Sequence, residues 1–175
     1  MCPLRFLVPT VAVVLWTGGA LAQSMPQQSD TSSPPIVAGW VETVTFPDYD
    51  ITLDAKLDTG AVSSSLDVTG LERIRRKGKT WYRFTIHGAD GKTATIEQET
   101  DRVARVKRAE VEDTRRPIVR LKVCVAGREA VTDFNLTDRS GQRYQALIGR
   151  KFLASRVLVD SSRKNLFAKP CQGGN

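Results

Sequence analysis

Hydrophobic and polar positions alternate with a period of two through most of this chain, and that period predicts strands rather than helices. Ile36 to Thr45, Ile51 to Leu57, Trp81 to Ile86, Thr93 to Gln98 and Ile118 to Val125 are β-branched or aromatic runs bounded by turn residues. His87-Gly88-Ala89-Asp90-Gly91 separates two of them and predicts a hairpin turn. Ala126-Gly127-Arg128-Glu129 predicts another, returning into Ala130 to Leu136. One short helix is expected over Arg150-Lys151-Phe152-Leu153-Ala154, ahead of a strand-like Val157-Leu158-Val159. Many short strands and little helix predict an all-β domain, a small barrel or sandwich.

The amino end follows a different pattern. Arg5 and the terminal amine form a thin positive region, Phe6 to Trp16 is apolar, and Ala20-Leu21-Ala22 reads as a small-x-small cleavage site before Gln23. Residues 1–22 are therefore expected to be a signal peptide. The apolar run falls short of the roughly 20 residues that span a bilayer, and no later stretch is long enough. The mature chain is expected to be exported, periplasmic or secreted, with no stable membrane insertion; an uncleaved anchor is the alternative. Residues 23–35 are polar, Pro-rich and aperiodic, a flexible linker. The folded domain is expected over 36–170, with 171–175 as a short tail.

Composition changes the picture little. The 175 residues are 41% hydrophobic and 26% charged, as in one globular domain. Arg5 alone of the 26 basic residues lies in the leader, which leaves 25 against 19 acidic ones, a net charge of about +6. Arg73, Arg75, Arg76, Lys77 and Lys79 are the one dense basic cluster, read as a solvated loop. With aromatics at 7% and no base-stacking motif, nucleic acid is not an expected partner. Cys124 and Cys171 are an even pair in an oxidising compartment. Either they form a disulfide that ties the tail to a core strand, or Cys124 is a buried apolar residue and Cys171 a free thiol.

The residues that carry chemistry are Asp58-Thr59-Gly60, entered from the strand Ile51 to Leu57 and followed by Ala61. Alone, the tripeptide reads equally as an Asp capping a turn whose Gly takes a positive φ. Its setting sharpens it. An apolar strand leads in, Ser63-Ser64-Ser65 follows, and Ala146-Leu147-Ile148-Gly149-Arg150 stands far downstream.

With these segments the chain resembles the retropepsin-like aspartic peptidases, and more closely a bacterial family that has carried the label of ATP-dependent zinc proteases. The resemblance covers most of residues 37 to 167. It rests on Lys56-Leu57-Asp58-Thr59-Gly60-Ala61, Ser64-Ser65-Leu66, Arg116-Pro117-Ile118-Val119, Leu136-Thr137-Asp138-Arg139-Ser140, Tyr144, Leu147-Ile148-Gly149-Arg150 and Val159-Asp160. It implies a small closed barrel with one short C-terminal helix, one catalytic aspartate per chain and a homodimer that acts on a peptide or protein substrate. Asp58 would be the catalytic carboxylate. Thr59 would brace the paired sites through its hydroxyl, and Gly60 would let backbone approach the carboxylates. Ala61 and Gly149 would support the site from behind, with Arg150 salt-bridged near the interface. Chemistry makes the same demand for pairing. Aspartic proteolysis needs two carboxylates sharing a proton, and a domain with one such turn supplies half of that, which a two-fold dimer completes.

Two features depart from the family pattern. Asp67 stands where relatives commonly carry a His. The single histidine, His87, sits at a hairpin tip, far from the three-ligand set a catalytic zinc requires. No Gly-rich phosphate loop with its Lys is present. Neither zinc nor ATP is expected, and no cofactor is called for. The flap that closes over substrate in such enzymes has two candidates, Trp81 to Glu97 and Val106 to Arg116. Two functions remain: an exported aspartic endopeptidase, favoured by the intact Asp-Thr-Gly-Ala, and a non-catalytic barrel that binds peptides or envelope polymers. The export signal yields the first test. N-terminal sequencing of material from the native host should begin at or near Gln23, whereas an intact Met1 on soluble cytoplasmic protein would refute cleavage.

Overall fold

Alternation is cleanest in β3 (Ile51–Leu57), where Ile51, Leu53, Ala55 and Leu57 are buried while Thr52, Asp54 and Lys56 keep solvent contact. The computed structural model describes residues 33–100, 102–108 and 111–167. The expected signal peptide, nearly all of the linker, and the tail with Cys171 lie outside them. β1 (Ile36–Gly39), β2 (Val41–Phe46), β4 (Ser64–Asp67), β5 (Thr69–Arg76), β6 (Lys79–His87) and β7 (Thr93–Glu99) make up the first half. β8 (Val103–Arg108), β9 (Val111–Val125), β10 (Arg128–Thr137), β11 (Ala146–Ile148), the single-turn helix α1 (Arg150–Leu153) and β12 (Val157–Asp160) follow.

The strand order β10-β4-β11-β3-β2-β9 closes on itself because β9 also pairs with β10, so the all-β domain is a six-stranded barrel with one short helix. Phe46, Phe134, Phe152, Leu53, Leu66 and Leu121 fill it, with the Phe46 and Phe134 rings 5.4 Å apart. Each such side chain contributes roughly 1.5–3 kcal/mol on burial. The β9–β10 connection is a two-residue turn, with Ala126 at φ 50° and Gly127 at φ 76°. That geometry matches the twist of the flanking strands.

A second sheet, β5-β6-β7, lies outside the barrel order and sends Phe84, Ile86 and Ile96 into the common core. It corrects the reading of the basic cluster as a loop. Arg73, Arg75 and Arg76 belong to β5, Lys79 begins β6, and Lys77-Gly78 is the turn between them, with φ 49° and 80°. Acidic residues from neighbouring strands offset the charge: Arg76 and Arg83 meet Glu97, Arg83 also meets Glu72, and Lys79 meets Glu99. These exposed pairs contribute at most about 1 kcal/mol each; their effect is to let cationic strands lie side by side. Cys124 is buried and disulfide-bonded, which removes the reading of Cys124 as a free apolar thiol. Its partner lies outside the described residues.

One buried charge organises the barrel's outer seam. Glu42 on β2 is fully buried; its Oε1 accepts the N–H groups of Gly39 (2.6 Å) and Leu166 (3.1 Å), and its Oε2 that of Phe167 (3.0 Å). The segment after β12 is thereby drawn over β1 so closely that a Cβ on Gly39 would stand 2.6 Å from the Arg163 carbonyl oxygen. Glu42→Ala leaves the buried Gly39 N–H and the part-buried Leu166 and Phe167 N–H groups without an acceptor and is expected to lower the unfolding free energy by about 1–3 kcal/mol. Urea denaturation measures the loss, and amide exchange at Leu166 and Phe167 should quicken. Unchanged stability and exchange would show that water takes over from the carboxylate at no cost.

Candidate active site

The site begins where β3 runs out. Leu57 is opposite Ile148 of the parallel strand β11, and the next amide, Asp58 N–H, donates to the Ile148 carbonyl at 2.9 Å. Beyond that bond the chain turns. Asp58 Oδ1 accepts the Gly60 N–H at 2.9 Å, and the Asp58 carbonyl accepts the Ala61 N–H at 3.3 Å. A Cβ at position 60 would lie 3.2 Å from that carboxylate oxygen, so glycine keeps the turn tight. Oδ2 faces the Lys56 ammonium at 3.4 Å, two residues back on the same side of β3. The Asp58 side chain is 23% exposed. Partial burial pushes its carboxyl upward, but the Gly60 N–H, the Lys56 charge and the Ala61 N–H together outweigh burial and hold it below the ordinary value. The chain thus offers an ionised carboxylate, and the charge beside it is a cation.

The turn is backed by a close backbone crossing. Gly149 follows β11, and a Cβ there would sit 2.7 Å from the Ser63 carbonyl carbon and oxygen. Its N–H donates to Ser64 Oγ at 3.1 Å, while the Ser64 carbonyl accepts Asn135 Nδ2 at 2.6 Å, and Arg116 Nη1 reaches Asn135 Oδ1 at 3.4 Å. Ser64 and Asn135 are buried, so these partners satisfy groups that would otherwise be costly. Arg150 N–H and Lys151 N–H donate to the Ala61 and Val62 carbonyls. Within the chain the Arg150 side chain turns to the tripeptide: Nη1 donates to the Thr59 carbonyl at 3.0 Å and the Gly60 carbonyl at 2.9 Å. It locks the Asp-Thr-Gly turn through backbone. Thr59 itself is exposed.

Asp67, the departure from the family pattern, accepts the Arg139 backbone N–H, and Arg139 Nη1 reaches Ser65 Oγ at 2.9 Å. His87 meets Thr69 Oγ1 at 2.7 Å. Among the described residues, no three His, Cys, Asp or Glu side chains gather as a metal site would need. Asn135 was not singled out from sequence, and Lys56 was quoted in the motif without a role. Alternation along Asp54, Lys56 and Asp58 could have placed the lysine beside the aspartate; nothing local points to Asn135, whose partner lies 71 residues away.

The two flap candidates now separate. The tip between β6 and β7 is tied to the far end of β3: Ala89 N–H donates to the Thr52 carbonyl at 2.8 Å, and Lys92 Nζ meets Asp50 at 2.6 Å. Thr52 lies six residues before Asp58, or about 20 Å along a strand, so the tip of this hairpin is held away from the carboxylate. The β8–β9 hairpin remains; its tip lies outside the described residues. A cleft of about 410 Å³ between Asp54, Ala89, Tyr144 and Lys164 does not include Asp58. The aspartate lies outside that cleft with its side chain partly exposed.

A closed six-stranded barrel that presents one Asp-Thr-Gly turn, held from behind by a glycine crossing, is the retropepsin-like class of fold. The chain belongs to the RimB-like family, described as retropepsin-like aspartic endopeptidase RimB, which matches residues 37–170. Among relatives, it is 25% identical over 130 residues to a probable alpha-L-glutamate ligase of Shewanella pealeana, covering 72% of this chain and 28% of that protein. A probable alpha-L-glutamate ligase of Parasynechococcus marenigrum is 25% identical over 129 residues, 71% of this chain and 28% of that protein. The chain therefore spans just over a quarter of the ligases it matches. Among solved structures, Lpg0085 of Legionella pneumophila, a protein of unknown function, superposes with a TM-score of 0.60 at 31% identity, over 75% of this chain and 97% of that one.

Gly149→Ala tests the crossing. The added methyl must displace Ser63 backbone and is expected to cost about 1–3 kcal/mol, seen as a lower melting temperature. Wild-type stability in that variant would mean that the crossing is loose.

Proposed function

We propose that the protein is a homodimeric aspartic endopeptidase acting outside the cytoplasm on peptides or proteins. The observation that carries the reading is the Asp58 turn: a partly exposed carboxylate, with Oδ1 fixed by Gly60 and the turn clamped by Ile148, Gly149 and Arg150. Membership of the RimB-like family supports the reaction class. Export rests on the leader at residues 1–22.

In the dimer, two Asp58 carboxylates meet across the two-fold axis and share one proton, because two like charges a few ångströms apart do not both ionise cheaply. The ionised partner takes a proton from a water, whose oxygen bonds to the scissile carbonyl carbon. The protonated partner hydrogen-bonds the carbonyl oxygen and passes its proton to it. Collapse of the tetrahedral species breaks the C–N bond, and the amine leaves with a proton. The β8–β9 hairpin supplies the flap. A second reading, the same barrel as a non-catalytic module for peptides or envelope polymers, draws on the relatives named as ligases, in which the matched stretch is a minor part.

Asp58→Asn decides between them. Asparagine keeps the side-chain size and still accepts the Gly60 N–H, so fold and dimer should persist while hydrolysis of a peptide library drops to background. Dimer fraction is followed by sedimentation. Equal cleavage by wild type and variant would remove Asp58 from catalysis, and a well-formed wild-type dimer that cleaves nothing would favour the binding module.

A further inference from the structure

The residue beside the carboxylate raises a question that a bare Asp-Thr-Gly turn does not. Lys56 occupies an outward position of β3, half-exposed, with its Nζ 3.4 Å from Asp58 Oδ2. Surface pairs of this kind add little to stability, so the pair is not needed to hold the barrel together. Its location matters more. Asp58 Oδ1 is already taken by the Gly60 N–H, and the ammonium takes the other oxygen, so both lone-pair faces of the carboxylate are oriented.

The other charged groups around the site are differently engaged. Arg150 from α1 is directed at the Thr59 and Gly60 carbonyls rather than at the carboxylate. Asp54, further back on β3, is within 3.5 Å of Thr43 Oγ1. β2 and β11 place Val41 and Leu147 opposite Lys56. Lys164 lies over the Trp40 ring, 4.3 Å from its centroid. The cation that addresses the Asp58 carboxylate is Lys56.

We propose that Lys56 is a positioning residue for Asp58, pinning Oδ2 and, through its charge, setting the pH range over which the paired carboxylates share a single proton. The inference rests on the reading of Asp58 as half of a dyad. Two-fold symmetry brings two ammonium groups to every two carboxylates. A dyad carrying one negative charge is then surrounded by more positive charge than it holds, and the monoanion persists to lower pH than it would between apolar neighbours. Removing the lysine charge raises the pH at which the monoanion is lost by protonation, so the acid limb of the activity profile moves toward neutrality. The apparent values belong to the pair, not to either aspartate alone.

The test uses the full mature chain as wild type, Lys56→Met and Lys56→Arg, with Lys56→Gln as a second neutral variant should methionine disturb packing. Peptide hydrolysis is followed across pH, and the Asp58 carboxyl carbon is titrated by NMR in the same proteins. At the acidic pH where wild type keeps half its activity, Lys56→Met should fall about a further fivefold, as a tenfold-weaker acid would; its Asp58 signal should titrate at higher pH, and Lys56→Arg should restore both. A neutral variant that folds and dimerises with its acid limb and Asp58 titration unmoved would overturn the proposal. If wild type cleaves nothing, the enzymatic reading fails separately; an Asp58 titration that shifts in the neutral variants would still establish the Lys56 coupling, and one that does not would end it.

Discussion

Everything at the candidate site depends on three residues of strand being threaded between two others. β11 pairs in parallel with β3 and antiparallel with β4, so Ile148 arrives beside Leu57 as the chain from β3 turns away. Its carbonyl takes the Asp58 N–H, and the backbone must then cross Ser63 at a separation that admits no Cβ. Glycine at 149 follows from that crossing, as does the orientation of Arg150, whose guanidinium reaches back to the turn. The barrel does more than carry the aspartate. It sets where the chain leaves β3 and fixes the carboxylate to a backbone frame that is buried and hydrogen-bonded.

The strands with one buried face were legible because their side chains alternate. The run Ile51 to Leu57 coincides with β3, and Thr93 to Gln98 falls one residue short of β7. The basic segment was misread for a physical reason: every residue of β5 keeps solvent contact, so it carries no alternation to detect. Its cue was local instead, Lys77-Gly78 as a two-residue turn between paired strands. β4 and β11 are four and three residues long and buried, too short for a period to register. The Asp-Thr-Gly tripeptide was legible as a motif, and Gly149 behind it through the resemblance, but Asn135 was not. Asn135, Ser64 and Gly149 meet only because the barrel closes, and no spacing along the chain encodes that meeting.

Charge is handled differently in the barrel and in the β5-β6-β7 sheet. On β5-β6-β7, cations and carboxylates interleave in the open, where solvent screens them and each pair matters little. Inside the seam of the barrel, Glu42 is buried and answered entirely by backbone N–H groups. Asp58 lies between these cases, partly buried, with one oxygen on backbone and the other on a flexible ammonium. That mixed environment leaves the carboxylate ionised in the protomer and still accessible to a neighbour, which a fully buried acid would not be.

The fold's demands on position 58 are modest. Its backbone N–H closes onto Ile148, which any residue but proline would allow, and its side chain supplies one acceptor to Gly60, which asparagine would supply equally. Neither requirement calls for a charge. The charge costs desolvation, since burial pushes the group toward its neutral form, and the structure offsets that cost first with the Gly60 N–H and then with a lysine at 3.4 Å. A turn that needed only an acceptor would have been simpler with a neutral amide and an apolar residue at 56. A partly exposed aspartate with its counter-ion on the preceding strand is more than the stability of the barrel asks for, and the proposed proton-transfer role would account for the excess.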